Sequence, residues 1–219
     1  MAAYVLVHGG NMDVETWNRL TTGKPVHTAD GKMGGLIWDP ILPALHLQGH
    51  ATFSPTLADE HHSDLTGHVD QVSALIVGQS LHDVILVAHS YGGMVITGVA
   101  AHLADRVRHM VYVDAAVPAP GQSLFDLIVA SGNDPMAFIG LEPAPPYVEK
   151  LQFNEAKVKP IPKTYIRCTQ SDFGPVTAAL KPAILADGEQ WAYFELPSSH
   201  VPMAGMPDRL SDLLLRAAR

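Results

Sequence analysis

A single cysteine in 219 residues, Cys168, excludes an intrachain disulfide and points to a reducing compartment. No basic run and no basic helix face occurs. Fourteen Lys and Arg stand against 22 Asp and Glu, and the net charge of −8 argues against nucleic acid and anionic membrane as partners. No apolar run is long enough to span a bilayer. The N-terminus enters a short apolar strand at Ala3 without a basic n-region or a long h-region, so no signal peptide and a cytoplasmic location are expected. Repeats, linkers and low-complexity tracts are absent too. What is left is one domain, 1–219, large enough to bury roughly 70% of its unfolded surface in one core. Histidine is plentiful, with 12 residues, but mostly scattered singly. His61-His62 lies beside Asp59-Glu60, yet adjacent side chains rarely converge on one ion, so no metal is expected.

The chain is organised around Val84-Ile85-Leu86-Val87-Ala88-His89-Ser90-Tyr91-Gly92-Gly93-Met94. A buried apolar strand runs into a serine, and the series Met94, Val95, Ile96, Val99 reads as a helix packed on that strand. Ser90 then sits at the apex of a sharp turn. Ala88 and Gly92, small residues two before and two after it, let the strand and helix backbones cross. This is the nucleophile-elbow pattern G-x-S-x-G with alanine in the first glycine position.

Elsewhere the chain alternates between strands and helices. Strands are expected at 3–7, 51–54, 84–89, 109–113, 163–168 and 191–196. Helices are expected from an Asp13 cap carrying Val14, Trp17 and Leu20 inward, over 38–47 up to Gly49, from Asp64 or Thr66, after Ser90, over 175–186, and from Pro207. Residues 21–36 show no period and read as a surface insertion. From 117 to 162 proline is dense among scattered apolar residues, including Phe125, Met136, Phe138, Ile139 and Phe153, which excludes a parallel-sheet strand and suggests an inserted lid of short helices and turns. The alternation predicts an α/β fold, a six-stranded parallel sheet with helices on both faces.

In such sheets function gathers at the carboxyl ends of the strands, and His8, Ser90, Asp114, Asp172 and His200 all fall there. A serine hydroxyl needs a base to take its proton, and His200, after the last strand, can supply it. An acid behind the imidazole fixes its tautomer. Asp172 is preferred because its loop is nearer the last strand; Asp114, at the start of the proline-rich segment, is the alternative. Tyr91 N–H, at a helix start, and Gly10 N–H can meet an oxyanion if the first and third strands are neighbours. His8 is expected to brace the oxyanion loop, and His89, at a variable position of the pattern, to take no part in the chemistry.

Val5-Leu6-Val7-His8-Gly9-Gly10, Ala88-His89-Ser90-Tyr91-Gly92-Gly93 and Ser199-His200-Val201-Pro202-Met203 resemble the α/β-hydrolase superfamily. Within it they are similar to the small branch of plant methylesterases, hydroxynitrile lyases and bacterial esterases. Val111-Tyr112-Val113-Asp114-Ala115 and Pro118-Ala119-Pro120-Gly121-Gln122-Ser123 look like the bacterial members. The resemblance implies strand order 2-1-3-4-5-6 and a Ser90/His200/Asp172 triad, matching that branch's usual acid placement. It also implies hydrolysis of a small apolar carboxylic ester through an acyl-enzyme, without a cofactor and with a small-molecule ester as partner. Val201 and Gly9 stand where the lyases carry a lysine and a threonine, which makes carbon–carbon lyase chemistry the weaker alternative. A non-catalytic binder on this fold is a further one. Substrate identity and oligomeric state stay open.

Overall fold

The protein, seen in a computed structural model, is described for residues 2–217 apart from 11, 22, 139, 140 and 189; Ile139 thus lies outside the described residues. Strand β1 (Ala3–Val7) leads to α1 (Val14–Leu20), where the Asp13 carboxylate accepts the Thr16 N–H at 2.6 Å, as the cap reading expected. Val14 and Trp17 turn inward, but Leu20 does not and is 39% exposed. Within the stretch expected as a surface insertion up to residue 36, Met33, Gly34 and Gly35 are buried, while Leu36 is exposed. A 3₁₀ helix, Gly34–Ile41, seats Ile37, Trp38 and Ile41 in the core. Then follow α2 (Leu42–Leu47), β2 (Ala51–Phe53) and α3 (Leu65–Gly78), whose cap is Asp64, accepting from Gly67 N at 2.7 Å.

Strand β3 (Val84–His89) turns into α4 (Gly92–His102), and β4 runs from Val107 to Val113, two residues earlier than its apolar run suggested. The proline-rich segment that follows holds α5 (Leu124–Ala130), α6 (Pro145–Val148) and α7 (Glu155–Val158). It returns through β5 (Lys163–Cys168). The helix expected over 175–186 is two pieces, α8 (Gly174–Ala178) and α9 (Lys181–Ala186). Pro182 is the reason: its nitrogen has no hydrogen to give the carbonyl four residues back, so it is tolerated only in the first turn of a new helix. Strand β6 (Trp191–Leu196), the single turn α10 (Pro202–Gly205) and α11 (Pro207–Ala217) complete the chain.

All six strands are parallel in the order β2-β1-β3-β4-β5-β6. Alternation sorts each strand between two cores. Val5, Val7, Val84, Leu86, Ala88, Met110 and Tyr112 face α3, α4 and the proline-rich segment. Tyr4, Leu6, Ile85, Val87, Val111 and Val113 face α1 and α11. The second core joins the two ends of the chain, for the Tyr4 hydroxyl donates to the Leu214 carbonyl at 2.9 Å. Among the described residues no helix is long and apolar enough to cross a membrane.

Candidate active site

The order β2-β1-β3-β4-β5-β6 sets the ends of β1, β3 and β4 side by side. Ser90 sits at φ +55°, a left-handed conformation that costs a non-glycine residue about 1 kcal/mol and lifts its side chain clear of the sheet. Close packing holds the turn. Gly9, following β1, lies so near that a Cβ there would be 2.6 Å from the Ser90 Cβ. A Cβ on Gly92 would be 2.7 Å from the His8 carbonyl oxygen. The next strand end repeats the device: Asp114 is also left-handed, at φ +46°, and completely buried. Its N–H donates to Ile166 O at 2.8 Å, while Ala116 N–H donates to Ser90 O at 3.0 Å. The turn after β4 is therefore bonded both to the elbow and to β5.

His200 arrives from the loop after β6. Its Nδ1 is 2.8 Å from Asp114 Oδ2. The other carboxylate oxygen, Oδ1, accepts the Cys168 N–H at 3.1 Å. Burial alone would raise the Asp114 carboxyl. The hydrogen bond and charge of His200, the Ser171 hydroxyl and the Cys168 N–H outweigh it and hold the group below its usual range. With Nδ1 engaged, Nε2 is the nitrogen left to receive a proton. The acid facing His200 is thus Asp114, and the preference for Asp172 is corrected. Asp172 is exposed; the β5-loop side chain that turns toward His200 is its neighbour Ser171, with Oγ 3.3 Å from Nδ1. Proximity of the loops pointed to β5, but a one-residue difference in direction sends the Asp172 carboxylate into solvent.

Two histidines given no catalytic role in the sequence reading have definite places. His89 Nε2 donates to the His200 carbonyl at 2.7 Å, with the rings 4.5 Å apart. Burial, and then the neighbouring His200, keep His89 neutral. His8 braces the oxyanion loop as expected: its Nε2 accepts the Leu57 N–H at 2.9 Å, which puts the ring proton on Nδ1, 2.9 Å from Gly9 O. Among the described residues neither the Gly10 N–H, after β1, nor the Tyr91 N–H, next to Ser90, donates to a backbone carbonyl. The Tyr91 ring packs edge-on to Tyr147 of α6 at 5.0 Å. From the same segment Phe138 meets Phe173 at 5.8 Å, and Phe173 lies 5.4 Å from the His200 ring. Met136 points away, 59% exposed, and Phe125 and Phe153 pack on the core.

Buried neutral histidines make stability depend on pH. Burial pushes His8 and His109 down to about 4, and His89 moves the same way. A base whose folded pKa is depressed binds its proton more readily when unfolded. Its contribution is therefore complete above the unfolded value near 6.5 and is lost as pH falls toward about 4. The expected Tm is level near neutrality and declines through that window. A Tm unchanged down to about pH 4.5 would contradict this.

The sequence profile of the alpha/beta hydrolase family matches residues 4–153. A carbendazim hydrolyzing esterase of Nocardioides sp. is 38% identical over 137 residues, covering 58% of this chain and 48% of that protein; the chain spans about half the length of that relative. A pyrethroid hydrolase of Sphingobium wenxiniae is 25% identical over 231 aligned positions, 82% of each chain. Among solved structures, an extracellular alpha/beta-hydrolase from a Paenibacillus species superposes with a TM-score of 0.74 over the whole of both chains at 23% identity, a likeness of fold.

Proposed function

The chain belongs to the alpha/beta hydrolase family, and from that premise we propose that it is a serine hydrolase cleaving a small, apolar carboxylic ester through an acyl-enzyme. The observation that carries the reading is the 2.8 Å contact between Asp114 Oδ2 and His200 Nδ1, beside a serine held at φ +55°. Ser90 Oγ attacks the ester carbonyl as His200 Nε2 takes its proton, and Asp114 steadies the imidazolium. The carbonyl oxygen, now negative, receives the Gly10 and Tyr91 N–H groups. His200 returns the proton to the departing alcohol, then draws one from the water that frees the acid. No step calls for a cofactor. The relatives named for ester-cleaving activities support the same class. Lyase chemistry has less support, because Val201, standing where a lysine would be needed, is buried in the core.

Turnover of short-chain p-nitrophenyl esters tests the reading directly. No hydrolysis by folded protein, over a panel varying both acyl and alcohol parts, would refute it. The segment over 117–162 is read as a lid that sets substrate choice, with Phe138 acting on the site through Phe173. Phe138→Ala is expected to lower kcat/KM about tenfold for the ester that fills this wall and by far less for acetate esters, as the loss of an apolar contact does. Equal losses for every ester would mean that Phe138 only supports its own segment.

A further inference from the structure

Two tyrosines stand against the loop that follows β1, and only one has its hydroxyl engaged. The Tyr91 hydroxyl is 3.0 Å from His68 Nδ1, and His68 Nε2 is 2.9 Å from the Ala58 carbonyl. A carbonyl only accepts, so the ring proton sits on Nε2 and Tyr91 donates to Nδ1. The Tyr147 hydroxyl has no hydrogen-bond partner among the described residues, although the residue is only 3% exposed. Buried polar groups are as a rule paired, so a donor left over beside a reactive serine points to a ligand. This hydroxyl stands 3.2 Å from where a Cβ on Gly10 would be, and a Cβ on Gly9 would be 3.2 Å from Ser90 Oγ. Tyr147 thus lines a narrow cleft with Gly9, Leu57 and Tyr91.

Its place is fixed. The ring packs edge-on to Tyr91, and α6, which carries it, ends at Glu149. The Glu149 carboxylate accepts the Thr66 N–H at 3.1 Å and the Thr66 hydroxyl at 2.5 Å, which ties α6 to the first turn of α3. Burial, and then the charges of Glu60 and Asp59, raise the Tyr147 phenol, so it keeps its proton and acts as a donor. The same two acids oppose an anionic partner.

We propose that Tyr147 is a specificity-determining residue whose hydroxyl donates a hydrogen bond to a neutral acceptor atom in the acyl part of the ester, close to the carbonyl group. The inference rests on the hydrolase reading, in which the Gly10 and Tyr91 N–H groups hold the carbonyl oxygen. Among the described residues no hydrogen bond joins the Tyr147 hydroxyl to the Gly10 N–H; it stands where a side chain at position 10 would project, and so meets the substrate beside its carbonyl oxygen. The part it meets follows from strand order. The leaving oxygen must face His200, which Asp114 holds on the β4 side of Ser90, whereas Gly10 and Tyr147 stand on the β1 side. The favoured substrates are therefore esters with an ether or carbonyl oxygen within two bonds of the ester carbonyl carbon. A plain alkyl ester would cover the hydroxyl and leave it unpaired.

Two p-nitrophenyl esters test this, the butyrate and the methoxyacetate, whose acyl chains have the same length and differ by an ether oxygen in place of one methylene. The ether alters intrinsic reactivity, so each ester is compared with itself in wild type and Tyr147→Phe. Phenylalanine keeps the ring on Tyr91, so the variant should melt like the wild type. It should lower kcat/KM for the methoxyacetate about tenfold and for the butyrate by less than about twofold. No change for either ester, or equal losses for both, would overturn the proposal; a hydroxyl serving the oxyanion or the fold would act on both alike. The uncleaved amides N-propyl methoxyacetamide and N-propyl butyramide, titrated by NMR, give a readout that needs no turnover. Tyr147→Phe should raise Kd for the first about tenfold and leave the second unchanged. A ratio of the two Kd values unaltered by the substitution would also overturn the proposal. Failure of the wild type to cleave either ester would count against the hydrolase reading alone, and the amide pair would then decide the acceptor.

Discussion

Ser90→Ala is expected to reduce kcat for ester hydrolysis by about 10⁴–10⁶ while leaving the fold unchanged. The size follows from what the hydroxyl does. Without it no acyl-enzyme forms, and only the oxyanion donors and substrate binding are left to act on direct attack by water. The fold should tolerate the change because the turn is held by the backbone: Ser90 N–H donates to Val113 O at 3.4 Å, and Ser90 O accepts from both Gly93 and Ala116. Alanine meets the same left-handed conformation with the same Cβ, so the strain at φ +55° is nearly unchanged. Turnover and thermal melting of the purified variant check both halves. A variant melting like the wild type and retaining near-normal kcat would sink the mechanism.

Asp114→Asn is expected to cost up to about 10⁴ in kcat, whereas Asp172→Asn should change it less than about twofold. The Asp114 carboxylate accepts from His200 Nδ1 through one oxygen and from Cys168 N–H through the other. Asparagine has one accepting oxygen and one donating nitrogen. If the oxygen stays with Cys168, the NH₂ group faces His200 and favours the tautomer with its proton on Nε2, where it cannot accept from serine. If the amide flips, the Cys168 N–H loses its acceptor instead. Asp172 is exposed, and among the described residues its carboxylate takes no part in the His200 contact. Rates of the two variants, compared at matched melting temperature, decide it; a larger loss from Asp172→Asn would return the acid to the β5 loop.

The sheet was legible because its signals are local. The run 84–89 is apolar enough to be a strand on any reading, 163–168 is marked by the strand formers Thr164, Tyr165 and Ile166, and the Ser90 turn declares itself by the small residues around it. Likewise Asp13 and Asp64 mark their helices by capping alone. The acid was harder because its role depends on direction, not position. Asp114 and Asp172 both follow strands, and only the left-handed turn at 114 and the outward rotation at 172 separate them. The signal that bore on this was the short span from Val113 to Ala116, which leaves the Asp114 side chain beside the neighbouring elbow. Ser171 was hidden for the opposite reason, since a serine in a Thr-Gln-Ser-Asp loop looks like ordinary turn chemistry. The burial of Met33, Gly34 and Gly35 went unseen in the stretch read as having no period, because a 3₁₀ turn does not display the helical repeat.

The bond from the Tyr4 hydroxyl to the Leu214 carbonyl joins the first strand to the last helix, and this has a consequence for the order in which the molecule comes into being. A ribosome releases β1 first, yet the partner that covers its Tyr4 and Leu6 face is made some 200 residues later, about 10–40 s at ordinary rates of synthesis. Throughout that interval only α1, the 3₁₀ helix and α2 can cover that sheet face, and His200 has not yet been joined to Ser90 and Asp114. On the proposed hydrolase reading, ester turnover during synthesis should therefore begin only when the final helix closes over the first strand.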